Sequence, residues 1–297
     1  MNKLVCSTAT LLLVLSGLSF AGGAPEGELG TEDHPLRWAV QPSGDDPAAI
    51  GELATEIYEL TGIHIQPMIA QTNAAILEAF EADPAAAHMS VLPALAYLAA
   101  FEQGLVEPAL VGVRNSTASY EAKVVANRDA GLESLEDLAG RSFARPGPLS
   151  PSGWIVPSLM MRAAGLNPDD LSNLRDLDNH AAVIEAVYEQ DVDAGALYVG
   201  GLAALAAEFD DLEDVIVVLA ESASIPNEGV QFSPEVPEEL RDQIVNALKQ
   251  IIETPEGNEL IRRLYSWDKL DSIDDSAYDP LRQLLDQAEI SIQQIVH

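Results

Sequence analysis

Apolar runs and helical spacings alternate along the chain from Leu36 onward. Short apolar runs predict strands, and apolar residues three and four positions apart predict helices. The predicted elements are, in order, a strand at Leu36–Val40, a helix at Pro47–Leu60, a strand at Ile63–Ile69, a helix at Thr72–Phe80, a strand at Ala87–Leu92, a helix at Pro93–Phe101 and a strand at Val106–Val113. This alternation indicates an α/β fold with mixed, mostly parallel sheets flanked by helices.

A second alternating unit follows the polar stretch Arg114–Tyr120. Its predicted strands are Glu121–Asn127, Arg141–Arg145, Leu171–Leu177, Ala194–Tyr198 and Val215–Ala220, and its predicted helices are Leu135–Leu138, Ser150–Gly165, His180–Gln190 and Leu202–Phe209. Ser224–Phe232 is predicted to be a return strand. The tail, Pro237–His297, is almost entirely helical in pattern, and Pro255 and Pro280 each start a new helix.

The N-terminal residues have the pattern of a secretory signal. Lys3 gives a positive start, Leu11–Leu18 is apolar, and Ser19-Phe20-Ala21 is a small-x-small cleavage site. We therefore predict a signal peptide at residues 1–21 and a periplasmic location for the mature chain. A membrane anchor is the alternative, but the apolar run is shorter than the roughly 20 residues that span a bilayer.

The two alternating units predict two lobes joined by two polar crossing segments. Residues 22–34 are rich in Gly and Glu, and we expect them to be a disordered linker. Residues 35–116 together with 221–297 are predicted to form lobe 1. Residues 117–220 are predicted to form lobe 2.

Composition excludes several classes of function. The formal net charge is −33, and removal of Lys3 with the signal peptide makes it −34, so the surface repels nucleic acid and anionic lipid. The single cysteine, Cys6, lies within the predicted signal peptide, which excludes disulfides and thiol catalysis in the mature chain. The five histidines show no metal-ligand spacing and no dinucleotide or P-loop motif occurs, so we predict neither a metal site nor a cofactor.

The most informative stretch is the predicted start of the helix after Arg141–Arg145. Ser150 suits the N-cap and Pro151 suits the first helical position, and Ser152 and Gly153 follow them. A helix start presents unpaired N–H groups and the positive end of the helix dipole, which favour an anion. A capped helix with no ligand is the alternative reading.

Four short motifs occur in one order along the chain. They are Val91-Leu92-Pro93-Ala-Leu-Ala-Tyr97, Pro148-Leu-Ser-Pro-Ser-Gly-Trp-Ile-Val-Pro157, Asn179-His180-Ala-Ala-Val with Val192-Asp-Ala-Gly195, and Ile225-Pro-Asn-Glu228. On the basis of these motifs, the chain from Leu36 to about Glu253 resembles the PhnD-like phosphate-, phosphite- and phosphonate-binding proteins of ABC importers.

The resemblance implies a type II periplasmic-binding-protein fold, with two α/β lobes, two crossing segments and an anion held in the cleft. It further implies a solute-binding component that captures a phosphorus oxyanion and works with an ABC transporter membrane permease. On this basis we predict a monomer with no enzymatic activity.

The resemblance also implies roles for individual residues. Ser150 and Ser152 are expected to bind the oxyanion together with the N–H groups of the helix start, and Gly153 and Trp154 belong to the same motif. His180 is expected to meet the anion from the facing loop, although a histidine that caps its own helix is the alternative.

Three further candidates lie elsewhere in the chain. Tyr120 is expected to close over the anion, with ordinary strand packing as the alternative. Asn73 stands where the family often has an aromatic residue and could donate a hydrogen bond, or it is a plain helix-start residue. Glu228 ends the motif Ile225-Pro-Asn-Glu228 in place of Asp, and a solvated hinge carboxylate is the alternative.

Two departures from the family pattern bear on the ligand. Pro151 replaces a threonine, which removes one hydroxyl and one N–H from the helix start. Gly200 stands where some relatives have an acid that contacts an amine, so we predict a ligand without an amine.

Two rival functions remain open at the level of sequence. One is a receptor of the same fold for another small anion, such as a sulfonate or carboxylate. The other is a two-lobed enzyme with Ser152 as nucleophile and His180 as base. The chain has no G-x-S-x-G elbow to support the enzyme.

Overall fold

The computed structural model describes residues 28–41, 48–82, 84–198, 200, 209 and 211–296. The predicted signal peptide lies outside this part of the chain, as does the predicted helix Leu202–Phe209 except for Phe209. Within the described residues, the search for a helix of sufficient length and apolarity to cross a membrane finds none.

The first lobe contains a six-stranded sheet. Its strands are β1 (Leu36–Val40), β2 (Ile65–Ile69), β3 (Met89–Leu92), β4 (Glu107–Val113), β12 (Gly229–Phe232) and β13 (Lys269–Ser272). They lie side by side in the order β13-β4-β12-β3-β1-β2. The chain therefore enters this sheet in two passes, separated by the whole of the second lobe.

The second lobe contains a five-stranded sheet. Its strands are β6 (Ala122–Asn127), β7 (Ser142–Arg145), β8 (Asn173–Asp176), β9 (Ala194–Tyr198) and β10 (Ile216–Glu221), in the order β10-β6-β9-β7-β8. Between the lobes, β5 (Ser119–Tyr120) pairs antiparallel with β11 (Ile225–Pro226), and Ile225 lies opposite Tyr120. The outgoing and returning segments thus form one two-stranded ribbon.

The α/β class with two lobes is confirmed, but the expectation of mostly parallel sheets is too strong. Strand β1 is parallel to β2 and β3, and β7 is parallel to β8 and β9. By contrast, β6 is antiparallel to both of its neighbours, and so is β12. Strands joined by a helix usually lie parallel in a sheet. β6 and β12 each follow a crossing segment directly, without a helix, so they need not be parallel to their neighbours.

Ten described α-helices flank the sheets. They are α1 (Ala49–Thr61), α2 (Asn73–Glu81), α3 (Ala94–Glu102), α4 (Val156–Ala163), α5 (His180–Tyr188), α6 (Leu212–Val215), α7 (Glu238–Glu253), α8 (Pro255–Tyr265), α9 (Asp279–Gln287) and α10 (Gln293–Val296). Side-chain caps fix several of their starts. The Thr72 hydroxyl accepts from the Ala75 N–H at 3.1 Å, and the Asn179 side chain accepts from the Ala182 N–H at 2.9 Å.

Three sequence predictions need correction. The tail contains a strand, β13, which pairs antiparallel with β4. Leu270 is the buried residue of this short edge segment, and the other residues of the segment are largely polar. The return strand Ser224–Phe232 is interrupted at Asn227 and Glu228, which separate β11 from β12. Residues 28–34 form turns against the first lobe, where the His64 N–H donates to the Gly30 carbonyl at 2.7 Å.

Two large hydrophobic clusters hold the first lobe. One lies under α1, α7 and α8 and contains Trp38 and Trp267. The other spans both lobes, since it contains Tyr97 of α3 together with Leu159 of α4 and Leu281 of α9. The C-terminal segment therefore packs against both lobes.

Candidate functional site

A cavity of about 420 Å³ lies between the lobes, beside the crossing ribbon. Its walls come from the start of α3, the two crossing segments, the helix start at residue 151 and the end of β9. The lining residues are Pro93, Ala94, Arg114, Asn115, Thr117, Ser119, Tyr120, Pro151, Ser152, Tyr198, Pro226, Asn227 and Glu228. We refer to it as the polar cavity.

The predicted helix start at Ser150 opens on this cavity. Residues Pro151–Ile155 form one π-helical turn before α4 begins at Val156. The Ser150 hydroxyl accepts from the Gly153 N–H at 3.1 Å and so caps the turn. Ser152 is 7% exposed and lines the cavity. Its hydroxyl makes no hydrogen bond to any described residue, so it is available to a ligand.

Gly153 is required where the helix start packs against Pro146. A Cβ at this position would lie 2.3 Å from the Cδ and Cγ atoms of Pro146 and 2.8 Å from the Ser150 hydroxyl oxygen. Gly153 is also absent from the cavity wall. The glycine therefore allows the helix start to pack against Pro146, and its missing side chain does not open space in the cavity.

Trp154 points away from the cavity. Its ring packs edge-on against Phe143 with centroids 6.2 Å apart, and the Arg145 guanidinium lies 4.3 Å above it. Arg145 also pairs with Asp176 at 2.6 Å. Trp154 thus holds the helix start against the second lobe, and the structure does not bring its ring to the cavity wall.

Tyr120 lines the polar cavity from the outgoing crossing segment. Burial raises the pKa of its phenol to about 12, and the nearby Arg114 guanidinium opposes the shift only in part. The hydroxyl therefore stays protonated and can donate. No described residue accepts a hydrogen bond from it, so the hydroxyls of Tyr120 and Ser152 line one cavity and both lack an acceptor among the described residues.

His180 is set back from the cavity. Its ring packs edge-on against Tyr198 with centroids 5.1 Å apart, and Tyr198 lines the cavity. Burial lowers the pKa of His180, and its Nδ1 atom is buried without a hydrogen-bond partner among the described residues. Ser152 and His180 do not hydrogen bond to each other there, so the geometry offers no nucleophile–base pair.

Asn73 lies in a second, adjoining cavity of about 250 Å³. It is the first residue of α2, directly after the capping residue Thr72. The structure therefore places Asn73 between the lobes but not on the wall of the polar cavity.

Glu228 is not a solvated carboxylate. Its side chain is 19% exposed and pairs with the Arg114 guanidinium on the cavity wall. Arg114 also donates from Nε and Nη2 to the Tyr265 carbonyl at 3.1 and 3.0 Å. Burial lowers the pKa of Arg114. The two charged residues of the wall thus neutralise each other.

Sequence reasoning did not single out Arg114, Tyr198 or Asn227 as residues of this site. Arg114 and Tyr198 stand at the carboxyl ends of β4 and β9. Ligands of α/β sheets commonly bind there, so this position in the predicted strands could have identified both residues as part of the site. Asn227 is buried and donates to the carbonyls of Gly112 at 2.8 Å and Thr117 at 3.0 Å. It joins the two crossing segments, a role that only the paired ribbon reveals.

The cavity offers donors rather than metal ligands. A search for groups of three or more His, Cys, Asp or Glu side chains that could hold a metal ion finds none in the described ranges. A cavity lined by the hydroxyls of Ser152 and Tyr120, a guanidinium and a helix start is suited to a small oxyanion, because hydrogen bonds to a charged acceptor are the stronger kind.

Two lobes, a crossing ribbon and an interlobe cavity define the class of two-lobed solute receptors. Residues 41–278 match the sequence family described as "ABC transporter, phosphonate, periplasmic substrate-binding protein". The match covers most of the chain, and the chain belongs to this family. It is a family of transport proteins that work with a membrane permease, not a family of enzymes.

Solved structures show the same fold at low sequence identity. A binding protein component of an ABC phosphonate transporter from Pseudomonas aeruginosa is 19% identical, with a TM-score of 0.57 over 86% of this chain and 87% of that chain. PhnD1 from Prochlorococcus marinus, solved with methylphosphonate, is 12% identical, with a TM-score of 0.57 over 86% and 98%. A Xanthomonas citri protein bound to ATP is 16% identical, with a TM-score of 0.66 over 88% and 99%.

Proposed function

We propose that this protein captures a phosphorus oxyanion (a phosphonate, phosphite or phosphate) in the polar cavity and delivers it to an ABC permease. The observation that carries the proposal is that Ser152 and Tyr120, whose hydroxyls have no hydrogen-bond partner among the described residues, line one cavity. Ser152 belongs to the second lobe and Tyr120 to the crossing ribbon. One anion that accepts from both would join the second lobe to the crossing ribbon.

The donors come mainly from neutral groups. Ser152 and Tyr120 supply hydroxyls, and the turn Pro151–Ile155 supplies the positive end of a helix start. Arg114 is the cation of the wall, and its charge is balanced by Glu228. Each hydrogen bond to a charged oxygen contributes about 1.5–3 kcal/mol. A few such bonds overcome the repulsion from the acidic surface, because salt screens that field beyond about 8–10 Å.

Cleft closure provides the signal to the permease. We infer that residues 35–116 with 221–297 move as one lobe and residues 117–220 as the other, about the ribbon of β5 and β11. In the same proposal the mature chain is a periplasmic monomer, released after cleavage near Ala21, and has no enzymatic activity. Family membership supports the location and the permease partner.

The test is titration calorimetry with phosphate, phosphite, methylphosphonate, 2-aminoethylphosphonate and taurine at one salt concentration. We expect at least one phosphorus oxyanion to bind tightly and taurine to bind weakly or not at all. The sequence departure at Gly200 predicts that 2-aminoethylphosphonate is not the preferred ligand. Small-angle scattering with and without the bound anion should show compaction.

Two results would contradict the proposal. Tight binding of taurine together with no binding of any phosphorus compound would make the protein a receptor for another anion. Unchanged affinity of the phosphorus oxyanion in a folded Ser152→Ala protein would move the anion out of the polar cavity.

A further inference from the structure

A second cavity, of about 250 Å³, adjoins the polar cavity and has a different chemistry. We call it the side cavity. Its walls are mainly carbon, and the large side chains among them are Leu95, Leu149, Ile155, Ile225 and Ile295. They come from both lobes, the ribbon and the C-terminal helix α10.

The two cavities share part of their walls. Pro93, Ala94, Tyr120 and Pro151 line both of them. A molecule whose charged end accepts from Tyr120 or Ser152 would therefore have the side cavity as a neighbouring space. The shared wall places the side cavity directly beside the anion site.

The loop before the helix start carries an unusual leucine. Leu149 lines the side cavity and is 83% exposed, the most exposed large hydrophobic side chain among those described. It lies in the motif Pro148–Pro157, directly before the capping residue Ser150. An exposed leucine beside the cavity gains apolar contact when an apolar group lies against it.

Part of the wall is held in place by the C-terminal helix. The Gln293 side chain donates to the Ala99 carbonyl of α3 at 3.3 Å. This bond anchors α10 to the first lobe, and Ile295 of α10 lines the side cavity together with Leu149 and Ile155. The apolar walls are therefore fixed to the same elements that form the polar cavity.

Resting on the proposed function, we propose that the ligand carries an apolar organic substituent of several carbon atoms, which the side cavity binds. The preferred solute is then an alkyl- or arylphosphonate larger than methylphosphonate. Charged and strongly polar substituents are disfavoured, because the large side chains of the wall offer no partners for them. The polar side chains of the wall are Thr72, Asn73 and Tyr120, and the Thr72 hydroxyl already accepts from a backbone N–H.

The experiment compares methylphosphonate with butylphosphonate by titration calorimetry. Each methylene buried in an apolar site contributes about fourfold in affinity. With partial burial, the unaltered protein should bind butylphosphonate at least about tenfold tighter than methylphosphonate. The ratio of the two affinities is the quantity to follow in the variants.

Two variants change the side cavity. Ala74→Leu adds a side chain to its wall and should reduce the ratio to near one. Its control, Ala75→Leu, makes the same change one residue along α2 at a position that lines neither cavity. Leu149→Ser should lower the ratio several-fold, whereas Leu60→Ser, at an exposed leucine of α1, should keep it. Because Leu149 and Leu60 are exposed, both serine variants should fold.

The outcomes separate this inference from the function on which it rests. If methylphosphonate, phosphite or phosphate binds and butylphosphonate binds no better, the side cavity does not bind a substituent. The inference is then wrong, while the proposed function stands. If butylphosphonate binds better but Ala74→Leu and Leu149→Ser keep the ratio, the substituent lies elsewhere. If no phosphorus compound binds, the proposed function fails as well.

Discussion

The Arg114 guanidinium pairs with the Glu228 carboxylate on the wall of the polar cavity. Arg114 directly follows β4, at the start of the outgoing crossing, and Glu228 directly precedes β12, at the end of the returning one. The pair therefore joins the two crossing segments at the first lobe. It also sets the charge that an anion meets, because a cation and an anion lie side by side.

This pair predicts opposite effects of two substitutions. Glu228→Gln removes a negative charge from the wall and frees Arg114 to donate to the ligand, so anion affinity should rise several-fold. Arg114→Gln removes a charge-assisted donor of about 1.5–3 kcal/mol, which should weaken binding roughly ten- to hundredfold. Titration calorimetry on both variants and on the double variant measures the coupling. Equal losses in the two single variants would show that the pair acts only as a structural link.

Substitutions of the two serines should separate binding from folding. Ser152→Ala removes a hydroxyl with no partner among the described residues, so affinity should fall roughly ten- to hundredfold with little change in melting temperature. Ser150→Ala removes the acceptor for the Gly153 N–H, which should cost about 1 kcal/mol of stability. Calorimetry and melting curves on each variant give the two readouts. A well-folded Ser150→Ala protein of unchanged stability would show that the cap is dispensable.

The main effect of Gly153→Ala should be a loss of folding stability rather than a loss of affinity. The added Cβ meets the ring of Pro146 at 2.3 Å, and overpacking of this kind typically costs about 1–3 kcal/mol. We expect a lower melting temperature in the absence of ligand. Gly165→Ala, at a positive-φ glycine where a Cβ meets nothing within 4 Å, is a control for backbone strain alone. Loss of affinity without loss of stability in Gly153→Ala would instead point to space needed by the anion.

Acid should destabilise the fold through His88. The His88 Nδ1 accepts from the Arg37 N–H at 3.0 Å, and burial with the nearby Arg37 guanidinium lowers the pKa of His88 from 6.5 to about 4. The unfolded chain takes up this proton near pH 6.5 but the folded chain does so only near pH 4. The free energy of unfolding should therefore fall as the pH drops through that window, with no contribution above it.

The measurement for His88 is the difference in melting temperature between pH 7 and pH 4.5. His88→Gln should make this difference smaller than in the unaltered protein, because the proton taken up only by the unfolded chain is gone. His34→Gln, at an exposed histidine, serves as the control and should leave the difference unchanged. An equal difference in all three proteins would contradict the assignment and leave the carboxylates as the source of acid sensitivity.

Local sequence patterns determined much of the fold. The alternation from Leu36 to Val113 predicted the strands and helices of the first lobe to within a few residues, because apolar periodicity reports which face of each element is buried. The short strand β13 was missed, since Leu270 is the buried residue of an otherwise polar edge segment. Four residues with one apolar position leave no periodicity to detect.

The helix start at Ser150 was likewise determined by local chemistry. A serine cap followed by proline specifies where a helix begins, whatever the remainder of the chain does. The motifs around it also determined the family, which the match over residues 41–278 confirms. The contacts of Ser152 and His180 with an anion remain predictions.

Only the tertiary structure decided which residues line the polar cavity together. Arg114 and Glu228 are more than a hundred positions apart, and their pairing depends on the register of β12 against β4. His180 packs on Tyr198 and Trp154 packs on Arg145, and neither residue lines the polar cavity. Sequence determines local propensity and capping because these act over a few residues. The composition of the cleft depends on long-range strand pairing and packing, which no local pattern encodes.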